Sequence, residues 1–210
     1  MKNIEQEIGQ ELLQIKAIKL EPANPFTWAS GWKSPIYCDN RKTLYYPGLR
    51  TQIRDAFASL IRKKYANAEV IAGVATGAIA QGALVAEALG LPFIYVRSSA
   101  KEHGLGNQVE GEIVPGKKVV VIEDLISTGG SSLKAVNAIR ESGMEVLGLC
   151  AIFTYGFQVA VDGFNEANCM VDTLTDYNTV IRIAAETGYI KSEQQDLLSN
   201  WRVDPANWRP

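Results

Sequence analysis

In the stretch VVVIEDLISTGGSS, residues 119–132, four consecutive apolar residues are followed by two acids, two more apolar residues and a run of Ser, Thr and Gly. The apolar run has the composition of a strand buried on both faces. The small polar run is that of a turn opening a helix. Backbone N–H groups of Thr128, Gly129, Gly130 and Ser131 would point into such a turn, where unpaired donors and the helix dipole attract a phosphate. Ser127, Thr128 and Ser131 add hydroxyl donors. Glu123 and Asp124, read as the end of the strand at the start of a turn spanning 123–132, can accept hydrogen bonds from vicinal ribose hydroxyls. Phosphate donors beside paired carboxylates suit a phosphorylated ribose. A plain strand-to-helix turn with a capping serine would need neither the adjacent acids nor so long a polar run.

A second candidate region is SSAKEHGLGNQVEGEIVPG, polar, Gly-rich and long enough to be a functional loop. It holds Lys101 and His103, the latter the one histidine of the chain, and follows Arg97. Taken singly, Lys101 reads as a solvated charge, His103 as a surface residue and Arg97 as an ion-pair partner. Together, upstream of a phosphate turn, they read as a cationic set for an anionic ligand. Two rival phosphate motifs fail. GEIVPGKK ends in Lys where a P-loop needs Ser or Thr, and it precedes a strand. Gly104 and Gly106 lack the third glycine of a dinucleotide fingerprint.

The elements that must position these residues follow from hydrophobic periodicity. VIAGV at 70–74, an Ala-rich helix at 78–89 and FIYVR at 93–97 form one strand-helix-strand round. A strand at 118–122, a helix at about 131–142 and a strand at 145–153 form a second. This alternation predicts an α/β domain with a mostly parallel sheet flanked by helices. Ile4, Ile8, Leu12 and Ile15 predict an N-terminal amphipathic helix, and Leu49, Ile53, Phe57, Leu60 and Ile61 a surface helix. An apolar run at 170–174 and helices at 177–186 and 192–201 follow, the last opened by a Ser192/Gln195 capping box. Between the first two helices, FTWASGWKSPIYCDNR is rich in turn formers and aromatics and predicts a hairpin-bearing lobe.

The chain has 210 residues, enough for one sizeable core, so a single domain over 1–210 is expected. With 21 Lys and Arg against 23 Asp and Glu, no electrostatic footprint for nucleic acid or an anionic membrane stands out. The apolar region 70–96 is interrupted by Gln81, Glu87, Gly90 and Pro92, which argues against a membrane span. Three widely spaced cysteines suit neither a disulfide framework nor a zinc site, and a cytoplasmic protein is the expectation.

VVVIEDLISTGGSS resembles the 5-phosphoribosyl 1-pyrophosphate (PRPP) signature of the type I phosphoribosyltransferases. RSSAKEHGLGNQVEG is similar to the mobile catalytic loop of the orotate phosphoribosyltransferase family, and FTWASGWKSPIYCDNR to that family's base-covering segment. The resemblance spans nearly the whole chain. It implies a Rossmann-like core with a small N-terminal hood from 20–47 and a mobile loop at about 98–112. It implies transfer of the phosphoribosyl group from PRPP to orotate in pyrimidine synthesis, with Mg²⁺ as cofactor and none of its ligands drawn directly from protein. It also implies a homodimer with a shared active site. It makes Arg97, Lys101, His103, Glu123, Asp124, Leu125, Ile126, Ser127, Thr128, Gly129, Gly130 and Ser131 the PRPP site. Lys101, His103 and Asp124 are then catalytic, and Ser127 contacts orotate.

The turn at 73–77 resembles the family's second pyrophosphate loop, although an ordinary turn fits it equally. The stretch from Phe26 to Tyr37 would cover the base; for Trp28, Trp32 and Tyr37 themselves, core packing is expected. Three positions depart from the best-known bacterial pattern: Ala29 and Tyr155 stand where base-contacting cations often occur, and Ser98 replaces a loop cation. Lys33 or Arg41 could then pair the orotate carboxylate. Two readings compete: a phosphoribosyltransferase for another base, and a non-catalytic PRPP-sensing regulator. The regulator needs a basic DNA-reading module, for which the short acidic helix before Pro22 is a poor candidate.

Overall fold

The structure is a computed structural model that describes residues 3–28, 31–99, 108–191 and 193–208. Helix α1 (Ile4–Gln14) opens the chain, with the Asn3 side chain accepting from the Glu5 N–H as N-cap. Short strands β1 (Ile18–Leu20) and β4 (Ile36–Cys38) pair antiparallel, and the hairpin of β2 (Phe26–Thr27) and β3 (Lys33–Ser34) lies between them in sequence. A 3-10 turn, Asn40–Tyr45, leads into α2 (Pro47–Lys64), where Pro47 stands at the helix start with its missing N–H at no cost. Then follow β5 (Val70–Val74), α3 (Ile79–Leu89), β6 (Phe93–Val96), β7 (Val109–Glu110), β8 (Lys118–Ile126), α4 (Gly130–Glu141) and β9 (Glu145–Thr154). The chain continues through α5 (Gln158–Glu166), β10 (Val171–Asp176), α6 (Tyr177–Glu186) and α7 (Glu193–Val203).

The described residues build a six-stranded sheet in the order β10-β9-β8-β5-β6-β7, parallel except for the β6–β7 pair. In β8 the two-residue period decides the faces: Val120 and Ile122 join one apolar cluster with α1, α2, α3, α6 and α7, while Val119 and Val121 join a second with α4 and α5. All four are fully buried, each worth about 1.5–3 kcal/mol relative to exposure. From β5 the chain steps outward to β6 and then back past β5 to β8. The strand order therefore reverses between β5 and β8, where open α/β sheets place their ligands beyond the strands' carboxyl ends.

The mostly parallel, helix-flanked sheet agrees with the periodicity, with three differences. Strand β8 runs to Ile126 instead of stopping at Ile122, because pairing with β9 continues through Glu123↔Ala151, Leu125↔Phe153 and Ile126↔Thr154. Glu123, Asp124, Leu125 and Ile126 are thus strand residues, and the turn proper narrows to Ser127–Gly129. Helix α5 is absent from the sequence reading because its apolar residues are split, with Val159 and Val161 exposed and Ala160 and Phe164 buried. The long loop begins and ends on a two-strand stem, Tyr95↔Glu110 and Val96↔Val109, with the Arg97 N–H donating to the Gln108 carbonyl at 2.9 Å. Ser192, the first residue of the expected capping box, lies outside the described residues.

Candidate active site

Two turns meet at the reversal point. The one after β8 enters α4 at Gly129, whose φ of +81° is the left-handed conformation that favours glycine; a Cβ there would press on Phe164 at 3.1 Å. No side chain caps this end of α4, and Thr128, Gly130 and Ser131 are exposed, so the first-turn N–H groups of the helix face open space. That is the arrangement an anion needs. The side chain of Ile126 is buried in the core under α4 and α5, and its carbonyl accepts from the Tyr155 N–H at 3.0 Å.

The turn after β5 brings Gly77 against Asp124. A Cβ on Gly77 would overlap the Asp124 carboxylate, so only glycine leaves that carboxylate its place. The Ala75–Thr76 peptide in this turn is cis.

The two adjacent acids have unlike surroundings. Glu123 is 4% exposed, and its carboxylate accepts from Ser132 Oγ at 2.8 Å and from the Asp124 N–H at 2.9 Å. Burial, reinforced by the charge of Asp124, pushes the Glu123 carboxyl up to about 8. Asp124 is also raised, first by burial, but it is the more open of the pair. Burial therefore favours the protonated form of Glu123 beside the more open Asp124.

The pH dependence of stability follows. A carboxyl raised in the folded state stabilises fully below its ordinary value near 4.3, and that contribution fades as pH rises toward 8. The Tm of the ligand-free protein is expected to fall between pH 5 and pH 8.5, and Glu123→Gln to flatten the fall. Thermal melts across that range check it, and a variant as pH-sensitive as the parent contradicts the assignment.

Beside Asp124 lies a cleft of about 340 Å³ lined by Thr27, Trp28, Tyr37, Cys38, Leu125, Ser127 and Tyr155. The N-terminal lobe thus forms one wall, and the end of β8 with the start of its turn forms the other. Tyr155 is buried, with its ring stacked on Phe157 at 5.3 Å and 5.2 Å from Trp28. An aromatic floor occupies the place where a cation was considered. Core packing, expected for three aromatics, needs correction: Tyr37 is 41% exposed and Trp28 serves both the core and the cleft wall, because the lobe turns one face outward. Trp32 is half-buried and stacks on Trp28 at 6.4 Å. Tyr155 was marked in the sequence only as a departure from a cationic position, and Cys38 and Thr27 went unnoticed as cleft residues, since their types are unremarkable and only folding assembles them.

Arg97 directly follows β6, with Nη1 3.5 Å from Glu110 Oε1, so in this state it has a protein carboxylate as partner. Lys101 and His103 lie outside the described residues. Among the described residues no group of three His, Cys, Asp or Glu side chains could hold a metal ion, and no helix is long and apolar enough to cross a membrane. Cys38, Cys150 and Cys169 are free thiols. A larger cleft, about 970 Å³ between the start of α1, α2 and Thr173 with Leu174, contains none of the expected site residues.

The comparisons agree with this geometry. A family model for the phosphoribosyl transferase domain matches residues 42–182. An orotate phosphoribosyltransferase of Phocaeicola vulgatus is 62% identical over 208 residues, covering 99% of this chain and 98% of its own. Its counterpart from Porphyromonas gingivalis is 60% identical over 208 residues and 99% of each chain. The crystal structure of orotate phosphoribosyltransferase from Aeropyrum pernix matches with a TM-score of 0.76 at 26% identity, over 88% of this chain and 99% of that one. Near-complete coverage on both sides, together with the uncapped turn, the acid pair and the base-sized cleft, places this chain in the phosphoribosyl transferase family, among the orotate phosphoribosyltransferases.

Proposed function

We propose that the chain transfers the 5-phosphoribosyl group of PRPP to a ring nitrogen of orotate, giving orotidine 5′-monophosphate and pyrophosphate. The observation that carries this reading is the shared wall: Leu125 and Ser127 line the aromatic cleft and belong to the strand and turn that cradle phosphate. A flat base in the cleft and a ribose at Asp124 are then neighbours, with the 5-phosphate on the N–H groups of 128–131. The C1–O bond breaks with its electron pair leaving on pyrophosphate, and the base nitrogen supplies the pair for the new C1–N bond. No protein nucleophile is needed, so positioning and charge stabilisation dominate.

Lys101, His103 and Arg97 would receive the pyrophosphate, Arg97 exchanging Glu110 for the ligand. Mg²⁺ would be held by oxygens of the substrate and not directly by protein side chains, and when bound it would neutralise charge on the departing group. A single domain with a hood from 20–47, a homodimer that shares its sites, and a cytoplasmic location complete the reading. Incubating the protein with PRPP, Mg²⁺ and a panel of bases tests it. Consumption of orotate supports it, whereas turnover of a purine with orotate inert sinks the substrate assignment.

Of the two cations considered for the orotate carboxylate, the surroundings favour Lys33. Its ammonium sits 2.8 Å from the Thr27 hydroxyl on the cleft wall, and its carbonyl accepts from the buried Trp201 indole at 3.1 Å. Arg41 is 61% exposed and bound to Asp39 at 2.6 Å. Lys33→Ala is expected to raise the KM for orotate about tenfold, the value of one ligand ion pair, with the KM for PRPP unchanged. Arg41→Ala should stay within about twofold on the same scale. Steady-state kinetics decide, and the idea is dropped if both variants keep the parent's orotate KM.

A further inference from the structure

Strand β8 outruns its neighbour. Pairing with β5 ends at Gly73↔Ile122, so the backbone of Asp124 lies beyond the last rung on that side. Side chains take the place of the missing strand. The Asp124 N–H goes to Glu123 Oε1 at 2.9 Å, and the Asp124 carbonyl accepts from Asn40 Nδ2 at 2.5 Å. Asn40 is 1% exposed, and its backbone carbonyl is itself held by Thr43 Oγ1 at 2.6 Å. The other end of the Asn40 carboxamide accepts from Cys38 Sγ at 3.3 Å, and Cys38 lines the base cleft. Burial pushes the Cys38 thiol well up, keeping it a protonated donor.

We propose that Asn40 is a positioning residue that fixes Asp124 for the ribose and, through Cys38, links occupancy of the base cleft to ribose binding. This rests on the assignment of cleft and turn given above. Among the described residues the carboxamide is the one group of the N-terminal lobe that holds the backbone of an acid of the pair, and it does so across 84 positions of chain. A base pressing on the Cys38 wall would be felt at the Asp124 carbonyl through two hydrogen bonds. Inorganic phosphate, which needs only the turn, would not feel it.

The test titrates ribose 5-phosphate into the parent and Asn40→Leu, with and without saturating orotate, and inorganic phosphate into both. Asn40→Leu should weaken ribose 5-phosphate about five- to tenfold, the worth of one buried hydrogen bond, and leave phosphate within twofold. Orotate should tighten ribose 5-phosphate in the parent and not in the variant, and the KM for PRPP should rise more than kcat falls. Should Asn40→Leu fold poorly, Cys38→Ala decides: it keeps the bond to Asp124, so ribose 5-phosphate should bind normally while the effect of orotate disappears. Equal losses for phosphate and ribose 5-phosphate, no loss for either, or an intact orotate effect in Cys38→Ala each overturn the proposal. A failure of the substrate reading stays separate, because the comparison of phosphate with ribose 5-phosphate needs neither orotate nor turnover.

Discussion

Asp124→Asn is expected to lower kcat/KM for PRPP by about two to three orders of magnitude while leaving the fold intact. The carboxylate can accept hydrogen bonds from both ribose hydroxyls, and each bond to a charged acceptor is worth about 1.5–3 kcal/mol. It also places negative charge beside a ribose that turns cationic as the C1–O bond stretches, an interaction stronger in the transition state than in the ground state. The amide keeps one neutral acceptor oxygen and loses the second, together with the charge. Stability should not suffer, since burial already disfavours the ionised form of Asp124. Kinetics together with thermal melts check this, and a kcat/KM within tenfold of the parent would remove Asp124 from the site. The same variant tests site sharing. Mixed with Lys101→Ala protomers, a dimer with a loop acting on its neighbour should regain roughly a quarter of parental activity, because half the dimers are mixed and each holds one intact site. No recovery would argue against sharing.

Gly77→Ala should cost about a hundredfold in kcat/KM without a matching loss of Tm. The added methyl would collide with the Asp124 carboxylate, the free end of a side chain, so the structure can yield by swinging that group aside. Folding is then spared and the ribose site is not. The mechanism has a sharp signature in a double-mutant cycle: in an Asp124→Ala background the same methyl has nothing to displace and should cost less than about twofold. Additive losses in the double variant would show that Gly77 acts through something other than Asp124.

How much of this was legible in the sequence depends on distance along the chain. The turn after β8 was legible because β8, the turn and α4 are consecutive, and each leaves a local mark. Burial on both faces demands an unbroken apolar run, and a close-approaching helix start demands small residues. The alternation that predicts a mostly parallel sheet is likewise local, since hydrophobic period follows from backbone geometry.

The rest belongs to the tertiary structure. Glu123 and Asp124 are adjacent and alike in type, yet Glu123 is buried and bound by Ser132 while Asp124 is the more open of the two. The end of β8 was misplaced because acids look like a strand's finish until β9 is there to pair with them. The cleft joins residues 27 and 28, 37 and 38, 125, 127 and 155. Gly77 and Asn40 reach Asp124 only after the sheet reverses its order. Residue types and spacings state what each short segment prefers; which segments face one another is settled by the packing of two apolar faces, and no local pattern carries that information.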